Sequence, residues 1–241
     1  MENVCAVILA AGKGKRMNSQ DSNKVSLEIK GKPIIVRNIE ILKNSGIADI
    51  VVVVGFAKDS ILQFLDKTIL TVEQSEALGT GHATKTALSI IPKKDEYVLV
   101  VYGDDAFWFT PQILNNLYKK SIENNADLIF CTTFVESPEG LGRIIRDNNK
   151  VVDIVEEKNT TDLQKQIKEV NIGGYLFKKD FLIKNIDLVE KNEVSGEYYL
   201  TDLINIASKK GKNIQTLTLE NFVWRGINTP EHLQEAEKLL N

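Results

Sequence analysis

Leu9-Ala10-Ala11-Gly12-Lys13-Gly14-Lys15-Arg16-Met17 is the stretch on which the reading of this chain turns. It follows an apolar run over residues 4–9 that reads as a buried strand. Two alanines and two glycines then allow a sharp turn and a close backbone approach to a ligand. Lys13, Lys15 and Arg16 set fixed positive charge among flexible backbone N–H groups. Amides that cradle oxygens, beside cations that neutralise them, suit a polyphosphate. Alone, the same pattern also describes a plain strand-to-helix turn with solvated lysines, because short glycine motifs recur by chance.

The wider composition narrows the ligand. A net charge of −3 leaves no global basic field for nucleic acid, so no nucleic-acid partner is expected. The cations are local instead: Lys13, Lys15, Arg16, Lys24, Lys30 and Lys32 crowd the first loop and its sequel. That clustering points to a small anionic ligand. Cys5 and Cys131 lie in separate apolar runs and form neither a disulfide framework nor a zinc site, so reduced thiols and a cytoplasmic location are expected. No signal-peptide pattern opens the chain and no stretch reaches membrane-span length, so no membrane partner is expected.

Beyond the loop, strand and helix patterns alternate. Strands are expected at 50–54, 69–72, 97–101 and 128–134, and helices at 34–43, 58–65, 82–90 and 111–123. Solid β-branched strands separated by helices predict an α/β fold, with a mainly parallel sheet covered by helices on both faces. The second half is less regular. Residues 143–146 and 151–155 flank Asp147-Asn148-Asn149 as a small β-hairpin, 159–167 is a polar surface stretch, and 170–177 is a strand broken at Gly173-Gly174. Helices at 179–186 and 200–210, a strand at 214–219, and a last helix opened by Pro230 with Thr229 as its cap complete the pattern. With no repeat or linker, a single domain over 1–241 is expected, with a regular part (1–135), a less regular part (136–228) and a C-terminal helix (229–241).

Ligands of open α/β sheets bind beyond the carboxyl ends of the strands. Residues 12–16, Glu73-Gln74 and Gly103-Asp104-Asp105 all follow strand runs and so share that edge. A carboxylate beside a phosphate loop suits a hard, oxygen-seeking Mg²⁺, although Asp also favours turns for its own sake. Two nucleotide motifs fail. The loop lacks the third glycine of a dinucleotide fingerprint, and it lacks the Gly-Lys-Ser/Thr of a Walker loop. His82 and His232 have no metal-ligand partner nearby, and no nucleophile–histidine arrangement can be assembled.

Taken together, these residues resemble the sugar-phosphate nucleotidyltransferases, most closely the bacterial N-acetylglucosamine-1-phosphate uridylyltransferases that form the pyrophosphorylase half of bifunctional GlmU proteins. The similarity runs in order through 9–17, 73–83, Tyr102-Gly103-Asp104, 140–144, 154–158, 169–171, 196–202 and Gly226-Ile227-Asn228. It implies a Rossmann-like fold of the nucleotide-diphospho-sugar transferase type, and a Mg²⁺-dependent attack of a sugar 1-phosphate on UTP that releases pyrophosphate. Leu9, Ala10, Ala11, Gly12, Gly14 and Gln74 would hold the nucleotide, with Gly79 and Thr80 closing over base and ribose. Arg16 and Lys24 would be the catalytic cations on the triphosphate. Asp104 and Asn228 would hold the Mg²⁺ cofactor. Tyr102, Gly103, Gly142, Glu156 and Asn171 would line the acceptor pocket, so that 1–135 would be a nucleotide-binding half and 136–228 an acceptor-binding half. Such a site needs positioning and charge neutralisation, and no side-chain nucleophile.

The chain departs from that pattern in places. Asn23 stands where the family has proline before the lysine, and Lys15 replaces a usual threonine. Asp105-Ala106-Phe107-Trp108 replaces an apolar, proline-containing continuation, and Asn171 lacks the threonine that normally follows it. The last two changes lie near the acceptor pocket, so the same chemistry with CTP and another phosphorylated acceptor stays open. So does a nucleotide-binding regulator without turnover. Nothing resembles the hexapeptide repeats of the bifunctional members, so no β-helix acetyltransferase domain is expected, and the chain is expected to be a monomer or small homo-oligomer.

Overall fold

Hydrophobic alternation along the first strand organises two core layers. In the computed structural model, which describes residues 1–14, 21–224 and 226–240, Val4–Leu9 (β1) sends Val4, Ala6 and Ile8 to one layer and Cys5 and Val7 to the other. The elements after it are a short hairpin, Glu28–Ile29 (β2) and Lys32–Pro33 (β3), then Ile34–Asn44 (α1), Asp49–Val54 (β4), Asp59–Leu62 (α2), Leu70–Glu73 (β5), Thr80–Ala87 (α3), Tyr97–Tyr102 (β6), Pro111–Glu123 (α4) and Leu128–Phe134 (β7). The second half holds Arg143–Asp147 (β8), Lys150–Val155 (β9), Glu169–Asn171 (β10), Tyr175–Lys178 (β11), Lys179–Asn185 (α5), Asp202–Lys209 (α6), Ile214–Thr218 (β12) and Pro230–Leu239 (α7).

One sheet runs through both halves in the order β5-β4-β1-β6-β11-β7-β10-β8-β9, with β12 alongside β7. The block β5-β4-β1-β6 is parallel, and β4, β1 and β6 carry the solid, buried apolar runs of strands covered on both faces. From β11 onward the path turns antiparallel, and only β12 adds another parallel pairing. Helices cover both faces. α1 and α4 bury Ile35, Ile39, Leu42, Leu114 and Leu117 in one layer, whereas α3, α5 and α6 bury Ala83, Ala87, Phe181, Leu182, Leu203 and Ile204 in the other.

The expected strand over 170–177 divides in two. Gly173 and Gly174 adopt φ of 81° and 66°, which lets the chain leave β10, paired with β7 and β8, and restart as β11, paired with β6 and β7. The β8–β9 hairpin forms around Asn148 and Asn149, both in the left-handed region. The 58–65 helix shortens to the four residues of α2. Thr229 caps α7 by accepting the His232 N–H at 3.3 Å. The carboxyl ends of β1, β4 and β6 therefore meet at one edge, above which the loop at 10–14 lies.

Candidate active site

The loop is held by its neighbours before any ligand arrives. Ala10 N–H donates to Val53 O at 2.9 Å, Gly103 N–H to Leu9 O at 3.0 Å, and Phe56 N–H to Ala11 O at 3.2 Å. A Cβ on Gly55 would lie 2.9 Å from both Cβ and O of Ala11, so only glycine lets β4 end against the loop. Gly14, at φ 53°, stands beside the aliphatic stem of Lys24. Arg16 and Lys15 lie outside the described residues.

Three expected residues from distant parts of the chain converge next to this loop. The Lys24 ammonium forms an ion pair with Asp104 Oδ2 and lies 3.4 Å from Asn228 Oδ1. Both charged side chains are largely buried, 16% and 17% exposed. Asp104 is set by its backbone, whose carbonyl accepts the Ile227 N–H at 3.0 Å and so ties the end of β6 to the segment carrying Asn228. A carboxylate and an amide oxygen facing one cation are a hard, all-oxygen donor pair, which fits Mg²⁺ provided that phosphates and water complete its shell. Among the described residues, no group of three or more His, Cys, Asp or Glu is arranged to hold a metal by protein ligands alone.

Asp105 turns inward beside this pair. It is 3% exposed, and its Oδ1 has no hydrogen-bond partner among the described residues. Burial first, and then the Asp104 charge, hold its carboxyl well above the usual range, against the opposing pull of Lys24 and the Trp224 indole.

The expected base-binding segment is stitched to a remote stretch. Gly79 has φ 99°, and a Cβ there would lie 2.6 Å from Tyr198 O. Tyr198 N–H donates to Leu78 O at 2.8 Å, Gly81 N–H donates to Tyr198 O at 2.8 Å, and Leu200 N–H donates to Thr80 Oγ1 at 3.0 Å. Buried Gln74 donates through Nε2 to Gly79 O at 3.1 Å and shares a 2.9 Å hydrogen bond with His82 Nδ1. His82, which has no metal partner in the sequence, thus orients the expected base reader. Tyr198 acts here through its backbone.

The expected acceptor residues also meet. Asn171 N–H donates to Gly142 O at 2.9 Å, and the place of a Cβ on Gly142 is 3.7 Å from Glu156 Oε2. Glu156 accepts the Thr201 hydroxyl at 3.2 Å, and burial pushes its carboxyl up. Asn171 Nδ2 donates to Tyr175 Oη at 2.5 Å, and Tyr102 Oη donates to Tyr175 Oη at 3.2 Å, which joins the end of β6 to β10 through β11. Arg143, 1% exposed, reaches Glu157 at 2.6 Å and the Leu141 carbonyl, pinning the turn that ends in Gly142. Arg143 and Thr201 fall inside matching segments that give them no role, and Tyr175 lies outside every matching segment. The Gly173-Gly174 break and the apolar spacing around 175–177 were the only hints of Tyr175.

Comparison with known proteins shows the family and the fold. The nucleotidyl transferase family model matches residues 5–241. The bifunctional GlmU protein of Caldicellulosiruptor saccharolyticus is 42% identical over 238 residues, covering 97% of this chain and 51% of that protein. That of Clostridium beijerinckii is 36% identical over 241 residues, covering 98% and 52%. The chain spans about half the length of these curated relatives. A solved UDP-glucose pyrophosphorylase in complex with UDP-glucose superposes with a TM-score of 0.83 at 21% identity, over 99% of this chain and 98% of that one. At that identity the likeness speaks for the fold. Among the described residues, no helix is long and apolar enough to cross a membrane.

Proposed function

Because the chain belongs to the nucleotidyl transferase family, we propose that it joins UTP to a sugar 1-phosphate, best N-acetylglucosamine 1-phosphate, to give the UDP-sugar and pyrophosphate. One observation carries the reading: Lys24, Asp104 and Asn228 converge beside the Gly12 loop, on the sheet edge that also presents Gly142, Glu156 and Asn171. An oxygen of the sugar phosphate attacks the α-phosphorus, and the bond from that phosphorus to the β-phosphate oxygen breaks in line. The chain's own contribution is positioning and charge. The backbone around Ala11 and Gly12 meets the base, and Lys24 and Arg16 neutralise charge as pyrophosphate departs. Gln74, held by Gly79 and His82, borders the base. Glu156 and Asn171 take hydroxyl and amide groups of the acceptor. Asp104 and Asn228 would hold Mg²⁺, whose charge, when bound, stabilises the phosphates.

Pyrophosphate release from the four nucleotides, each with a panel of sugar 1-phosphates in Mg²⁺, tests the reading. UTP with N-acetylglucosamine 1-phosphate should give the highest kcat/KM, and a silent panel would sink the proposal. The buried Asp105 beside Asp104, whose Oδ1 has no hydrogen-bond partner among the described residues, favours a second reading, in which another phosphorylated acceptor is used, and the same chemistry with CTP remains the other variant. The same panel, extended to phosphorylated alcohols, decides between them.

A further inference from the structure

The residue that replaces the family's proline, Asn23, has more specific polar contacts than any side chain assigned to the site so far. It is 1% exposed. Its Nδ2 faces three carbonyl oxygens: Ala10 at 2.9 Å, Phe56 at 3.0 Å and Gly12 at 3.2 Å. On its other side, Oδ1 accepts the Val25 N–H at 3.1 Å and caps the 3-10 turn Lys24–Ser26. Three acceptors on one side and a donor on the other leave a single orientation for the amide. The backbone N–H also donates to Ser60 Oγ at 2.9 Å, anchoring the residue to the start of α2.

Peptide planarity converts these bonds into a statement about the ligand face. In a trans peptide the carbonyl and the following N–H point in opposite directions. Drawing the Ala10 and Gly12 carbonyls onto Asn23 therefore turns the N–H groups of Ala11 and Lys13 to the other side of the loop. The same side chain fixes the first turn of the segment that delivers Lys24 to Asp104. At φ −76° and ψ 143°, position 23 would hold a proline with the same backbone, but a proline would bring neither the three-carbonyl clamp nor the Ser60 bond.

We infer that Asn23 is a positioning residue for the nucleotide, presetting the amides of Ala11 and Lys13 and the lysine at position 24 as one rigid unit. The inference rests on the proposed nucleotide role of the loop, and its test separates the two. N23S keeps an oxygen that can cap the Val25 N–H and loses the amide clamp, whereas N23D sets a carboxylate against three carbonyls. Both variants should raise the nucleotide KM about tenfold or more, leave the acceptor KM within about twofold, and accelerate amide exchange at Ala10 and Phe56 while β7 stays protected. Exchange is read without substrate, so it judges the clamp even if the wild type releases no pyrophosphate, an outcome that sinks only the transferase reading. Unchanged exchange at Ala10 and Phe56, or equal changes in both KM values, would overturn the inference. If N23D fails to fold, N23S alone decides by the same two readouts.

Discussion

On the proposed reading, the Lys24 ammonium stands where a divalent cation would meet Asp104 and Asn228. On that reading a metal would enter the position only if Lys24 left it, so the lysine and the metal would compete until nucleotide phosphates drew the lysine away. The pair is 16% and 17% exposed, between the surface regime, where ion pairs contribute about 0–1 kcal/mol, and the buried regime, where breaking one costs about 3–5 kcal/mol. An intermediate value of about 1–2 kcal/mol follows, which corresponds to about 5–30-fold in affinity. Lys24→Met removes the competing charge and keeps the stem beside Gly14. It is therefore predicted to bind Mn²⁺ about 5–30-fold more tightly than wild type without nucleotide, while turnover falls by about 10²–10³-fold because a cation on the departing pyrophosphate is lost. Electron paramagnetic resonance of free Mn²⁺ during a titration gives the affinity directly. Asp104→Asn should abolish the gain in the same assay. Unchanged or weaker Mn²⁺ binding in K24M would refute the competition, and a gain that survives D104N would place the ion elsewhere.

Gly79→Ala should destabilise the fold by about 2–4 kcal/mol, because the new Cβ would meet Tyr198 O at a positive φ; urea unfolding measures this. Glu156→Gln should raise the acceptor KM about tenfold with nucleotide affinity unchanged, and equal effects on both substrates would place Glu156 outside the acceptor pocket. Asp202 is pushed up to about 6 by burial, then by the charges of Asp153, Glu156 and Glu190. The folded chain thus holds that proton more tightly than the unfolded one. Its contribution is full below the ordinary value of 3.8 and is lost as pH rises toward about 6. Relative to wild type, Asp202→Asn should therefore gain stability across that window and level off above it. A pH-independent difference would contradict the assignment.

The parallel half of the fold is legible because its signals are local. Residues 50–54 are all β-branched, and Pro111 and Thr110 mark the start of α4, where Thr110 caps the Ile113 N–H at 3.2 Å. The site is legible only through motif order. Lys24 meets partners 80 and 204 positions away, separations that no periodicity reports. The matching segments leave unassigned the roles of residues whose work is hydrogen bonding to another residue of the site. His82 reads as packing, yet bonds Gln74; Thr201 reads as a helix start, yet bonds Glu156; Arg143 reads as the first residue of a hairpin strand, yet is buried against Glu157. Gly173-Gly174 is visible as a break, but the exchange of strand neighbours across it depends on which edges β6 and β7 leave open.

The stretch from Tyr198 to Thr201 joins the two halves of the site. Its first residue fixes the backbone of residues 78–81 through the Tyr198 N–H and carbonyl, and Leu200 N–H holds the Thr80 hydroxyl. Its last residue donates to Glu156 on the acceptor side. Four consecutive residues thus touch both the loop expected over the base and the carboxylate expected on the sugar. Because they are anchored by backbone bonds at one end and by a buried side chain at the other, neither loop can shift far without the other. On the proposed reading, that geometry would fix the spacing of the two substrates through the fold itself, which suits a reaction whose barrier is lowered mainly by holding two charged substrates in line.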